Sequence, residues 1–185
     1  VAKNQRDYLI IDACVLINLI ATGLLKEILR LIAQNSVICV LVKGESLYLR
    51  NEDDINELES IDIDNLVNQE IIQISDCETD DEQLLFVNLA ANLDDGEAMS
   101  VAIALSRNWH LATDDKKARR IFTENSQDKQ LLVSTTDLIK EWVENEDIDD
   151  LTLKSILLKV ERKASFRPSK SDINLQWWND ILSAE

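Results

Sequence analysis

A three-layer α/β/α fold built on a central, mainly parallel sheet is predicted for this 185-residue chain, and three observations predict it. Short apolar runs alternate with stretches of helical periodicity as far as about residue 145, the pattern of strands joined by crossover helices. Only three glycines and one proline are present, too few for the tight turns of an all-β architecture. Hydrophobic residues make up 45% of the chain, and a chain of this length can bury a substantial core in one domain.

The elements follow in order. Tyr8 to Ile11 reads as the first strand, and Val15 to Ile20 opens a helix whose second part runs from about Leu24 to Ala33. Val37 to Val42 reads as a second strand, followed by a short helical stretch from Glu45. Ile55, Leu58 and Ile61 then recur at helical spacing, and Ile71, Ile72 and Ile74 suit an edge strand. Glu82 to Ala91 and Gly96 to Ser106 read as helices, with Asn92 to Asp95 between them supplying capping acids. Trp109 to Thr113 is a strand, Lys116 to Phe122 a helix, and Leu131 to Ser134 a strand. Thr135 or Thr136 can cap the next helix, which carries Leu138, Ile139 and Trp142. Beyond Asp150, Leu151, Leu153, Ile156, Leu157 and Val160 mark another helix; a turn at Pro168 leads to a last one with Trp177 and Trp178. We read one domain over 1–185, with a core of about 7–145 and a helical extension of about 146–185. No repeat or low-complexity tract interrupts it.

Two features bear on location. Lys3 and Arg6 precede an apolar stretch that could mimic a leader, but Asp7, Asp12 and Asn18 interrupt it, and no other run approaches membrane-span length. Cys14, Cys39 and Cys77 are odd in number and lack metal-like spacing, so free thiols in a reducing cytoplasm are expected.

The net charge is −16, and its distribution is uneven. Positions 51 to 106 hold sixteen Asp and Glu and no Lys or Arg, while the remainder is balanced at nineteen of each sign. Such a face repels phosphate backbones. It is either a solvated surface of acidic helices, or a face that keeps nucleic acid to one crevice or docks a basic partner.

Four acids stand out: Asp12 after YLII, Glu45 after VICVLV, Glu97 in DDGEAMSVAIAL, and Asp115 in LATDD. Three of them follow apolar runs that read as strands, and the carboxyl ends of parallel strands open into one crevice. Carboxylates gathered there suit a hard divalent cation and hence phosphate chemistry. Two of them also have a structural alternative. Asp12 can cap the helix that follows, and Glu97 can complement a helix dipole, although Asp94 and Asp95 already suffice for that. Asp114 competes with Asp115, either holding a metal through water or capping the next helix. Glu45 has Glu52 as its reserve. Thr113 can orient the acids or water.

Lys116, Lys117, Arg119 and Arg120 form either a solvated helical face or a contact for RNA phosphates, and Lys154 to Lys170 adds six basic residues against one acidic. His110 is the only imidazole, which leaves a nucleophilic serine or cysteine without a matching base. Trp177 and Trp178 can stack bases or pack a tail helix.

The segments IIDACVLINLIATG and DDGEAMSVAIALSRNWHLATDDKKARRI, with eighteen residues from Glu97 to Asp115, resemble the PIN-domain proteins, compact α/β ribonucleases found in many prokaryotic toxin–antitoxin pairs. The resemblance implies a divalent-metal-dependent endoribonuclease. Asp12, Glu97 and Asp115, with Asp114, would hold Mg²⁺ or Mn²⁺, and Glu45 would complete the catalytic acids. The family's second acid usually lies deeper in the helix after this strand, where Leu47, Tyr48 and Leu49 stand here. Products with 5′-phosphate and 3′-hydroxyl ends are implied, as are an RNA substrate, a small antitoxin-like partner and a homodimer. Two rivals stay open: a degenerate PIN module that binds without cutting, and a phosphotransfer enzyme of another Rossmann-like fold. The haloacid-dehalogenase type would require an Asp where Cys14 stands.

Overall fold

The computed structural model describes residues 5–52, 54 and 56–184. Among them a five-stranded, wholly parallel sheet runs in the order β5-β2-β1-β6-β7, built from β1 (Arg6–Ile11), β2 (Ala33–Cys39), β5 (Gln73–Ser75), β6 (His110–Ala112) and β7 (Leu132–Val133). Helices cover both faces, as the alternation of elements predicts. One side carries α1 (Ala13–Ala21), α2 (Leu25–Ile32), α8 (Thr135–Asn145) and α9 (Asp150–Lys163); the other carries α6 (Asp95–Arg107), flanked by α5 (Asp80–Ala90) and α7 (Lys116–Asn125). The last helix, α10 (Leu175–Ser183), lies on α9, with the Trp178 ring fully buried and its Nε1 donating to Glu161.

β1 is the hub. Its last three residues, Leu9, Ile10 and Ile11, are wholly buried, so the run is apolar rather than alternating, as a strand covered on both faces must be. The chain lays β2 and β5 on one side of β1 and returns to lay β6 and β7 on the other. The strand order therefore reverses between β1 and β6, and a crevice opens at their carboxyl ends.

Several elements differ from the sequence reading, each for a local reason. The second strand starts at Ala33 and ends at Cys39, because the polar residues Gln34 to Ser36 pair with β1 through their backbones. Val40–Gly44 is instead a short helix, α3, entered where the Cys39 thiol accepts from the Val42 amide. No helix starts at Glu45; that residue ends α3. Leu58 and Ile61 belong to no helix: β4 (Leu58–Ser60) pairs antiparallel with β3 (Tyr48–Arg50), and Leu58 is 60% exposed. Ile55 lies outside the described residues. The intervening α4 (Ile63–Asn68) is capped by Asp62. Ser134, rather than Thr135 or Thr136, caps α8, in a reciprocal box with Asp137.

Arg107 fastens the far end of α6. Its guanidinium reaches both carboxylate oxygens of Glu82, at 2.7 and 2.9 Å, the Ser75 hydroxyl at 2.8 Å and the Asp76 carbonyl at 2.7 Å, and it lies over the Trp109 ring. The three cysteines are free, and among the described residues no helix is long and apolar enough to cross a membrane.

Candidate active site

Asp12 leaves the end of β1 and is only 3% exposed. Its backbone is extended and one carboxylate oxygen accepts from the Ala13 amide at 2.7 Å, so it does cap α1. The other oxygen accepts from the Thr113 hydroxyl at 2.8 Å and the Cys14 thiol at 3.2 Å. Burial raises the carboxyl's pKa, these three donors oppose the rise, and the charge of Asp115 adds to it.

Thr113 joins the two strand ends. Its hydroxyl donates to Asp12 and accepts from the Asp115 amide at 3.2 Å. Asp115 in turn caps α7, one oxygen accepting from Lys117 and Ala118 amides at 2.7 and 2.8 Å. Asp114 turns the other way, toward α1 and α8. It accepts from Asn18 at 3.1 Å and from the hydroxyl and amide of Thr135 at 2.5 and 3.0 Å, so both of its oxygens are engaged in joining helices. Adjacent acids that look alike in sequence are thus divided between two tasks.

Glu97 and Glu45 approach from the α6 side. Glu97 is in the first turn of α6, and its carboxyl is pushed up to about 7 by burial first, then by the charges of Asp115, Asp12 and Asp94. Glu45 follows α3, and its carboxyl is likewise raised, by burial and then by Asp12 and Asp94. Gly96 makes room for it: a Cβ there would lie 2.5 Å from Glu45 Oε1 and 3.3 Å from a Val42 methyl. Glu52 is exposed on the hairpin connection. The charge of Asp12 thus acts on both Glu45 and Glu97, and that of Asp115 on Asp12 and Glu97, and none of these four takes part in an ion pair among the described residues.

In the sequence Asp94 reads only as a helix cap. It occupies the N-cap position of α6, but its side chain makes no capping hydrogen bond, and its charge bears on both Glu45 and Glu97. No local pattern distinguishes it from Asp95. Asn18 did carry one, a lone amide in an apolar helix six residues beyond Asp12, and it is buried against Asp114 and Thr135.

The basic candidates separate too. Arg119 donates through Nη1 to the carbonyls of Thr113 and Val133, at 2.8 and 3.1 Å, bracing the ends of β6 and β7. Lys116, Lys117 and Arg120 are exposed. In the second basic stretch Lys154 donates to the Ala184 carbonyl, and Lys163 and Arg167 pair with Glu59 and Glu161. His110 is half-buried in β6, and its pKa is lowered mainly by burial and by Arg6.

Would a cation fit? The donors are carboxylate oxygens, the preferred ligands of hard divalent ions, and their mutual repulsion is what such an ion relieves. Among the described residues, however, no three His, Cys, Asp or Glu side chains form a group that could hold a metal as they stand. Asp12 and Asp115 each spend an oxygen on a helix cap, and Asp114 is occupied elsewhere.

One consequence can be tested without activity. Glu97 titrates near 7 in the folded protein but near 4.5 when unfolded, so the native state binds more protons between these values. In EDTA, stability due to this group is therefore greatest below about 4.5 and is lost as the pH rises through 7. The melting temperature should fall between pH 5 and pH 8, and Glu97→Gln should reduce that slope. An unchanged slope in the variant would place the repulsion elsewhere.

No curated protein and no solved structure matches the chain. A family model described as a PIN domain matches residues 8–173, from within β1 to just before α10. PIN domains are in general nucleases that bind nucleic acid and use divalent metals. With a parallel sheet whose order reverses between β1 and β6, acids at both strand ends, and a match over most of its length, this chain belongs to the PIN-domain family.

Proposed function

We propose that this protein is an endoribonuclease that hydrolyses RNA phosphodiester bonds with Mg²⁺ or Mn²⁺, using Asp12, Glu97 and Asp115 as the acids that hold the ion. The observation that carries the reading is Asp12 and Asp115 at the ends of β1 and β6, where the strand order reverses, bridged by Thr113 and both acting by their charge on Glu97. A divalent ion bound there would acidify an attacking water and offset negative charge developing on the phosphate. The chain's own residues do the rest. Thr113 orients Asp12 and Asp115 relative to each other through one hydroxyl. Glu45 and Asp94 add negative charge at the rim, and Asp114, by holding Asn18 and Thr135, fixes the strand end from which Asp115 projects.

Cleavage of a labelled RNA in Mg²⁺ or Mn²⁺, its loss in EDTA, and 5′-phosphate and 3′-hydroxyl ends are the expected results. Failure of stoichiometric protein to cut in either metal would overturn the reading. It would favour the second one, a binding module without catalysis, which the absence of a closed three-acid group among the described residues supports. The same assay probes Glu45. Gly96→Ala should push its carboxylate aside and lower the rate to the same degree as Glu45→Gln, by about 10²-fold if Glu45 positions the ion or water. Equal activity of both variants and the original protein would remove Glu45 from the site.

The resemblance further supports a role as the toxin of a toxin–antitoxin pair, in the cytoplasm, restrained by a small protein over the crevice, and a homodimeric state. Leu84 and Val87, each 62% exposed on α5, are an apolar surface available for such contacts.

A further inference from the structure

Beside the acid crevice lies a second concavity that the nuclease reading does not use. It has a volume of about 520 Å³ and lies between the first turns of α7 and α8 and the 166–173 loop that connects α9 to α10. Its lining includes Lys116, Arg119, Arg167, Phe166, Ser169 and Ser171. Lys116 directly follows Asp115, so the cavity adjoins the acids through that short step of chain.

Three carboxylates also line it, and their partners decide which groups are left for a ligand. Asp114 is bound to Asn18 and Thr135. Asp137 accepts from Ser134 through one oxygen and from Asn174 through the other, at 2.7 Å. Asp172 accepts from the Thr136 hydroxyl at 3.0 Å and from the Asn174 amide at 2.7 Å. The oxygens of all three are thus engaged by neutral donors of the fold itself, which leaves three negative charges balanced by the three cations of the lining. The cations are freer. Lys116 has no hydrogen-bond or ion-pair partner among the described residues, Arg119 engages only Nη1, and Arg167, with a side chain 66% exposed, meets Glu161 at 3.4 Å. An exposed pair of that kind is worth little and exchanges readily for a better anion.

The wall is preformed. Asp172 and Asn174 tie the loop to the start of α8, Lys140 donates to Asn174, and Phe166 packs edge-on against the buried Trp178. A loop held by the fold presents its donors without an ordering cost on binding.

We propose that this cavity seats a backbone phosphate of the RNA strand that flanks the scissile bond, held by Lys116, Arg167 and the unengaged edge of Arg119, with the Ser169 and Ser171 hydroxyls as neutral donors. The helical extension then takes part in gripping substrate. The proposal rests on the nuclease reading of the neighbouring acids. Guanidinium groups suit a phosphate geometrically, and each phosphate contact adds to the salt dependence of binding.

The test measures binding apart from cutting. In the full chain carrying Asp12→Asn, the affinity for a labelled eight-nucleotide single-stranded RNA is followed by anisotropy against salt, with and without Lys116→Gln and Arg167→Gln. Each change should weaken binding about threefold to tenfold, the pair should reduce the salt slope by about two, and Arg167→Lys should recover most of the affinity. Unchanged affinity and slope overturn the proposal. So does a result in which inorganic phosphate stabilises the chain through Arg167, or a polyglutamate peptide binds through it, while RNA binding is indifferent to Arg167. Cleavage by the unaltered chain is measured in parallel. Cleavage without Arg167-dependent binding sinks the cavity alone, whereas Arg167-dependent binding without any cleavage sinks the nuclease reading and keeps the cavity.

Discussion

Asp12→Asn is expected to lower RNA cleavage by at least about 10³-fold while leaving the protein folded, the largest functional effect of any single change proposed for this chain. The substitution keeps shape and removes one negative charge. In the native site the carboxylate takes hydrogen bonds from the Ala13 amide, the Thr113 hydroxyl and the Cys14 thiol. An amide can keep the first through its oxygen and turn its nitrogen to Thr113, whose hydroxyl can accept as well as donate. The Cys14 thiol and the Thr113 O–H lose their acceptor. Against that loss stands relief of repulsion with Glu97 and Glu45. In EDTA the variant should therefore melt within a few degrees of the original, and added Mg²⁺ or Mn²⁺ should stabilise the original more, because an ion that binds only the native state shifts unfolding in proportion to its affinity. A loss above about 2 kcal/mol with no metal effect on either protein would instead make Asp12 a buried cap and acceptor.

The largest effect on stability is expected from Arg107→Ala, about 3 kcal/mol, seen as a drop in melting temperature of roughly 6–12 °C. Glu82 is almost wholly buried, and its carboxyl is held down at about 2 chiefly by the Arg107 hydrogen bonds. Deleting the arginine leaves that charge with only the Glu78 and Thr79 amides, and it also cuts β5 and the start of α5 from the end of α6. Because the folded pKa lies below the unfolded 4.5, the contribution of Glu82 is complete above about 4.5 and is lost as the pH falls toward 2. The variant should accordingly lose less stability on acidification between pH 5 and pH 3 than the original. Urea melts at both pH values check this, and parallel losses would show that the pair is not the source.

How far the sequence could be read depended on which force shaped each part. β1 and β6 are apolar because both faces are covered, so composition alone marks them, and an acid ending such a run stands out. The hairpin of β3 and β4 carries no such mark. Its strands are three residues long and largely exposed, and backbone pairing there overrides the helical spacing of the side chains. The start of β2 escaped for the same reason, since Gln34 to Ser36 join the sheet by register with β1 rather than by burial of apolar side chains. Asp114 and Asp115 differ by a single step along the chain, and only Asn18 and Thr135, distant in sequence, reveal that they face opposite ways. The space for Glu45 against Gly96 is likewise a matter of packing between α3 and α6, which no local pattern encodes.

The placement of β6 beside β1 sets a timetable for synthesis. Asp12 is made 101 residues before Thr113 brings the hydroxyl that orients it, and the Asn18 amide awaits Thr135, 117 residues on. Closing loops of that size must precede any reward from the contacts they bring together. A nascent chain on the ribosome, surrounded by RNA, thus carries Asp12 through that stretch of elongation without the strand that would arm it. Ribosome-bound chains truncated before Thr113 should leave RNA intact, and cutting should begin only once α8 has cleared the exit tunnel.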